Sequence, residues 1–246
     1  MKNVFLLLGA SSDLAKQFIY ELDRIESTSK YIVYGTYFSN SDDLLKMQLC
    51  NIDLRLLKCD LANDADIESV KSEIEKQNCL PSYIIHFAAN KFEYMRIRDF
   101  DWEKTKYELD IQVGSLGKIC KWLLPNLKKE KFGRVIAIGT EYTLGVPPKF
   151  LSYYVITKYA LVGFIKALAS EYSGSGITFN VVSPAMMETK FLSNIDERTK
   201  ELNANNSVMK RNIELKEVCG ALKYLISDEA SYTTGINLNL SGGTYM

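Results

Sequence analysis

Apolar runs rich in β-branched and aromatic residues alternate with helical patterns along the whole 246-residue chain. Strands are expected at 3–8, 31–37, 52–58, 82–88, 133–139, 177–182 and 235–240. Helical spacing marks 14–25, 42–50, 64–77, 102–128, 152–172 and 215–227 between them. In the first helix Leu14, Phe18, Ile19 and Leu22 fall on one face. The strands are apolar on both faces, so both sides of the sheet need cover. The fold class that follows is α/β: a doubly wound, mainly parallel seven-stranded sheet with helices on both faces. No repeat, low-complexity tract or linker divides residues 1–246, which read as a single domain. Residues 185–212 break the rhythm, being polar and Asn-rich around 203–206. They read as a disordered insertion or, given their place in the chain, as a substrate lid.

Composition narrows the function. Thirty basic residues balance thirty acidic ones, which leaves no electrostatic case for nucleic acid or an anionic membrane as partner. The lysines of 118–131 alternate with Trp122, Leu123, Leu124 and Leu127, the pattern of a solvated amphipathic helix. Five scattered cysteines without C-x-x-C spacing read as small buried hydrophobes in a reducing compartment. With His86 the lone histidine, no zinc or other metal site is expected. Lys2 followed by Val4-Phe5-Leu6-Leu7-Leu8 is too short for a secretory signal, and no apolar run is long enough to span a bilayer. The expected location is cytoplasmic.

Two local patterns carry chemistry. Gly9-Ala10-Ser11-Ser12-Asp13-Leu14-Ala15 follows the first strand and opens a helix. A tight glycine turn at a helix N-terminus can receive a phosphate on its free N–H groups, although it can also be a plain strand-to-helix turn. Tyr154 and Lys158 stand four apart on a helix and project from one face. An ammonium there would lower the tyrosine pKa towards that of a general acid/base, while the plainer reading is two surface residues.

Their order along the chain resembles that of the short-chain dehydrogenase/reductase family in its small single-domain form. The glycine-rich pattern of that family falls on Leu8–Ala15 in degenerate form, its N-N-A-G on His86–Ala89, and its Y-x-x-x-K on Tyr154 and Lys158. Asp60, the Asn180–Pro184 stretch, Thr234-Gly235 and Ser241-Gly242-Gly243 complete the resemblance. It implies a Rossmann-type dinucleotide-binding domain and hydride transfer between NAD(P) and a carbonyl/alcohol substrate. By resemblance, the catalytic set is Tyr154 as general acid/base, Lys158 beside it, Thr140 in the place of a serine and Gln112 in that of an asparagine. The implied cofactor-binding set is Gly9, Ser11, Ser12, Asp13, Leu14, Thr36, Ser39, Asp60, Leu61, Ala88, Ala89, Tyr154, Lys158, Pro184 and Thr189. The second strand ends Tyr37-Phe38-Ser39-Asn40, without the acid that would bind the ribose of NAD. With hydroxyls at Thr36 and Ser39 this leans to NADP over NAD.

Several positions depart from the family pattern: Asp13 and Ala15 in the glycine turn, His86-Phe87, Gln112, Thr140 and Ala185. Asp13 is expected to bond the N–H groups opening its helix, and His86 to bond backbone near the adenosine side. The departures motivate an alternative function: a dinucleotide-binding protein without turnover, acting as sensor or assembly partner. Met186, Met187, Phe191, Leu192, Tyr142 and Phe150 are expected to line an apolar substrate pocket or to pack the lid down. The resemblance also implies a homodimer or homotetramer built on helices 102–128 and 152–172. Tyr159, Leu161, Val162 and Phe164 would supply the buried patch and residues 237–246 a second interface.

Overall fold

The computed structural model describes residues 3–26 and 30–245; Lys2 and Met246, read above as parts of the two termini, lie outside the described residues. Seven strands among those residues form one sheet, with every neighbouring pair parallel. They are β1 (Val4–Leu8), β2 (Tyr31–Tyr37), β3 (Ile52–Lys58), β4 (Tyr83–His86), β5 (Gly133–Ile138), β6 (Ile177–Pro184) and β7 (Asn237–Leu240), in the order β3-β2-β1-β4-β5-β6-β7. The helices are α1 (Asp13–Asp23), α2 (Asp42–Leu45), α3 (Asp64–Lys76), α4 (Trp102–Leu109), α5 (Ser115–Glu130), α6 (Ser152–Glu171), α7 (Glu197–Asn206) and α8 (Leu215–Ile226). The expected doubly wound sheet is present.

Alternation along β1 shows why two cores form. Val4, Leu6 and Leu8 point into a core with α3, α5 and α6, whereas Phe5 and Leu7 point into one with α1 and α8. All five are at most 1 % exposed, so a polar residue anywhere in this strand would lose its water with no partner waiting. Because β1 pairs with β2 on one side and β4 on the other, chain direction across the sheet reverses there. A crevice opens beyond the carboxyl ends of these strands, the usual ligand site of such sheets.

Five expectations are corrected. The helix expected over 102–128 is two helices joined by a π turn, Asp110–Gly114; apolar spacing is nearly the same on either side of a one-residue insertion, so periodicity does not register it. The helix expected over 42–50 stops at Leu45. The lid contains α7, entered through Asp196, whose side chain accepts the Thr199 N–H; capping rather than an apolar face starts this exposed helix. Leu161 and Val162 are buried inside the chain, at 0 % and 8 % exposure, and cannot supply a subunit interface. Of the cysteines, Cys59, Cys79, Cys120 and Cys219 are buried as expected, but Cys50 is exposed.

Candidate active site

The glycine turn is built by close packing. Gly9 adopts φ +82°, and a Cβ there would lie 2.7 Å from the Ala88 Cα. Its N–H donates to Thr36 Oγ1 at 3.0 Å, and the Ala10 N–H to the Thr36 carbonyl at 2.7 Å. Thr36 is 1 % exposed, so its hydroxyl holds the turn and is withdrawn from the cofactor-selecting role expected of it. Ser12 caps α1, its Oγ accepting the Ala15 N–H at 3.2 Å; such a cap contributes about 1 kcal/mol.

Asp13 therefore does not cap the helix. Its carboxylate turns outward, accepting the Lys190 N–H at 2.7 Å and pairing with Lys16 at 3.0 Å. Partial burial works against the charged form, but the Lys190 N–H and the Lys16 ammonium outweigh it and hold the carboxyl below its usual range. Asp43 receives Lys16 at 2.8 Å and Lys190 at 3.1 Å. The turn, the α2 helix and the start of the lid are thus laced together.

A cleft of about 590 Å³ runs from the Gly9 turn to α6. Every catalytic and cofactor-binding residue assigned above from the sequence lines it except Gln112. Tyr142, Met186, Met187, Phe191 and Leu192 line its wall as expected; Phe150 does not, its ring standing 5.6 Å from the Arg96 guanidinium instead. Phe92 joins the wall, packing its ring 5.2 Å from that of Tyr154.

At the inner end Tyr154 and Lys158 are 8 % and 4 % exposed. The Lys158 ammonium donates to the Ile138 carbonyl at 2.8 Å and lies 5.7 Å from the centre of the Tyr154 ring. Burial lowers the Lys158 pKa to about 8 against the pull of Glu108. Burial also raises Tyr154, with the Thr140 side chain hydrogen-bonded in opposition. The depression expected from the lysine is therefore absent in this arrangement: desolvating the phenolate costs more than an ammonium turned towards a carbonyl returns.

Gln112 sits on the π turn behind the cleft. Its Nε2 donates to Glu108 Oε1 at 2.5 Å, and its own Oε1 is enclosed without a partner. Glu108 also accepts the Asn90 N–H at 3.1 Å and Nδ2 at 2.7 Å. Glu108 and Asn90 escaped the sequence reading; the available signal was the four-residue spacing of Glu108 and Gln112 along a helix. His86 lies with Nε2 3.0 Å from the Ile111 carbonyl and 3.2 Å from Ser115 Oγ. Burial lowers its pKa to about 4, so the ring is neutral at pH 7. It does bond backbone, but at the π turn rather than on the adenosine side. Among the described residues no cluster of three His, Cys, Asp or Glu side chains could hold a metal ion, and no helix is long and apolar enough to cross a membrane.

A family model described as enoyl-(acyl carrier protein) reductase matches residues 31–245. The chain belongs to the short-chain dehydrogenase/reductase family. It is 27 % identical over 248 residues to the 3-oxoacyl-[acyl-carrier-protein] reductase of Buchnera aphidicola subsp. Baizongia pistaciae, covering 100 % of this chain and 98 % of that one. The reductase of the same name from Salmonella typhimurium is 30 % identical over 193 residues, 77 % of each chain. In fold, a 4-hydroxyisoleucine dehydrogenase complexed with NADH superposes with a TM-score of 0.84 at 21 % identity, over 98 % of both chains. As a member of the short-chain dehydrogenase/reductase family, the protein is an oxidoreductase of the NAD(P)-dependent kind.

Proposed function

We propose that the protein transfers hydride between a nicotinamide dinucleotide and a carbonyl/alcohol substrate, with Tyr154 as general acid/base. The observation that carries this is a single cleft joining a glycine turn at the N-terminus of α1 to buried Tyr154, Lys158 and Thr140.

The residues present fit a dinucleotide. Ser11, Ser12 and Leu14 face the cleft where α1 begins, and the positive end of that helix favours a pyrophosphate there. Asp13 adds no uncompensated charge, because Lys16 and the Lys190 N–H hold its carboxylate. Asp60, Leu61, Ala88 and Ala89 would border the adenosine half, and Pro184 and Thr189 the nicotinamide half. The bound cofactor would supply or accept the hydride. For its part the chain would hold the substrate oxygen between the Thr140 hydroxyl and the Tyr154 phenol. In reduction Tyr154, kept protonated by burial, would donate its proton to that oxygen; a pKa brought down towards neutral pH would favour the step. Lys158, with a pKa near 8, remains largely charged at pH 7 and stabilises the phenolate left behind.

The end of β2 supports NADP over NAD, now on Ser39 and the lack of an acid among Tyr37, Phe38, Ser39 and Asn40. The five cysteines, unpaired throughout, fit a cytoplasmic location. A homodimer or homotetramer through α5 and α6 remains part of the proposal, resting on exposed Ile156 and Tyr159.

Titrating NADPH and NADH by fluorescence, then assaying a carbonyl panel, tests the reading. Micromolar binding of one nucleotide is expected, with turnover about 10²–10⁴-fold lower in Tyr154→Phe. Binding without any turnover would favour the sensor or assembly role, and binding of neither nucleotide would defeat both.

A further inference from the structure

Thr140 is followed by a short turn, Glu141–Thr143, at the inner end of the cleft. Glu141 lines that cleft and is 4 % exposed. Its Oε2 is enclosed with no hydrogen-bond partner, and no neighbouring cation offsets its burial. Buried carboxylates are normally paired, so an orphaned one calls for a reason. Holding the turn is not the reason. Thr143 Oγ1 donates to the Thr140 carbonyl at 2.9 Å, and Asn237 Nδ2 donates to Thr143 Oγ1 at 3.0 Å. The backbone is secured without the glutamate side chain.

The chemistry of the missing partner can be read from the carboxyl. Ionised, both oxygens accept; protonated, one still does. A group carrying an O–H or N–H therefore satisfies it in either state. The cleft it lines also carries Phe92, Met186, Phe191 and Leu192, and the phenols of Tyr142, Tyr154 and Tyr245 lie near its carboxyl. Glu141 adjoins Thr140 in the chain, which keeps their Cα atoms about 3.8 Å apart. Both side chains line the same cleft, and the Glu141 carboxyl lies near enough to the Tyr154 phenol to bear on it, so one ligand can meet both.

We propose that Glu141 determines substrate specificity, accepting a hydrogen bond from a hydroxyl or ammonium group carried close to the carbonyl that Thr140 and Tyr154 address. This rests on the oxidoreductase reading of the cleft given above. The favoured substrates are α-hydroxy or α-amino ketones, and their deoxy analogues leave the carboxyl unpaired.

The test compares 2-hydroxycyclohexanone with cyclohexanone, and aminoacetone with acetone, in wild type, Glu141→Gln and Glu141→Leu. Intrinsic ketone reactivity cancels when the kcat/KM ratio within a pair is divided between proteins. The wild-type ratio should exceed that of Glu141→Leu by about ten- to a hundredfold, the range for one buried hydrogen bond. Glu141→Gln, which keeps an accepting oxygen, should restore much of it. Selectivity confined to the amino pair would identify the group as ammonium, and in both pairs as a general donor. The same compounds are titrated calorimetrically into Tyr154→Phe protein and Tyr154→Phe/Glu141→Leu protein, each holding NADPH. If binding discriminates there while the wild type turns over no ketone, the specificity assignment stands and the hydride-transfer reading fails. Ratios within twofold of one another in wild type and Glu141→Leu, or no binding and no turnover of either substituted ketone, would overturn the assignment.

Discussion

Burial of Glu141 should be visible in stability alone, with no substrate present. The carboxyl has a pKa of 4.5 when free and about 7 in the fold, raised by burial. Folding therefore disfavours its ionised form, and the penalty grows as pH rises from 4.5 to 7 and then levels off. At about 1.4 kcal/mol per pH unit, this linkage gives roughly 0.8 kcal/mol at pH 5 and roughly 3.3 kcal/mol at pH 8. The groups bearing on Glu141 are the phenols of Tyr142, Tyr154 and Tyr245, all with raised pKa values and so neutral throughout this range. Glu141→Gln preserves shape and cannot ionise. Between pH 5 and pH 8 the wild type should thus lose about 2.5 kcal/mol relative to the variant. All other titrations cancel in the difference. Urea unfolding of both proteins at the two pH values measures it directly; in thermal melts it corresponds to roughly 5–10 °C in Tm for a domain of this size. Any constant cost of the amide shifts both pH values equally. Parallel stabilities to within about 0.5 kcal/mol would mean the carboxyl is hydrated or paired, and the reasoning from an orphaned Oε2 would fall.

Three further outcomes follow from the geometry. Gly9→Ala places a Cβ 2.7 Å from Ala88 Cα at φ +82°; it should destabilise the fold by about 2 kcal/mol or more and abolish nucleotide binding, read by denaturation and by fluorescence titration. Asp13→Ala removes the acceptor of the Lys190 N–H, so hydrogen exchange should quicken across Thr189–Leu192 and α7 while the protected core of β1 is unchanged; unchanged lid exchange would show that the latch carries nothing. His86, with a pKa of 6.5 when free and about 4 when folded, takes up its proton more readily in the unfolded chain, so stability should fall as pH drops from 6.5 towards 4. His86→Asn should flatten that limb by up to about 3 kcal/mol, measured by urea unfolding at pH 4.5 and 7.

Much of the scaffold was legible along the chain, because a strand or helix announces itself through side-chain spacing over a few residues. The seven strands came from apolar runs, and Tyr154 and Lys158 share a face simply because they are one helical turn apart. The glycine of the phosphate turn was equally local in its signal, though its reason is not: Gly9 is required by Ala88, which β4 brings against it. The π turn at Asp110–Gly114 was hidden, since one extra residue barely disturbs the apolar spacing and what braces it, His86, lies on a strand 25 residues earlier.

Spacing says nothing of where a polar side chain turns once the elements have packed. Asp13 sat at the opening of a helix and suggested a cap, yet its carboxylate meets a backbone N–H 177 positions away. Thr36 suggested a hydroxyl for the cofactor, yet parallel pairing of β1 and β2 leaves that hydroxyl on Gly9. Glu141 looked like one acid among thirty. Its enclosure, and the partner it lacks, arise because α6 and β6 pack around one turn, which Asn237 of β7 also bonds. The order of residues determined which helices and strands could form; desolvation, which depends on what those elements bury between them, decided which side chains carry chemistry.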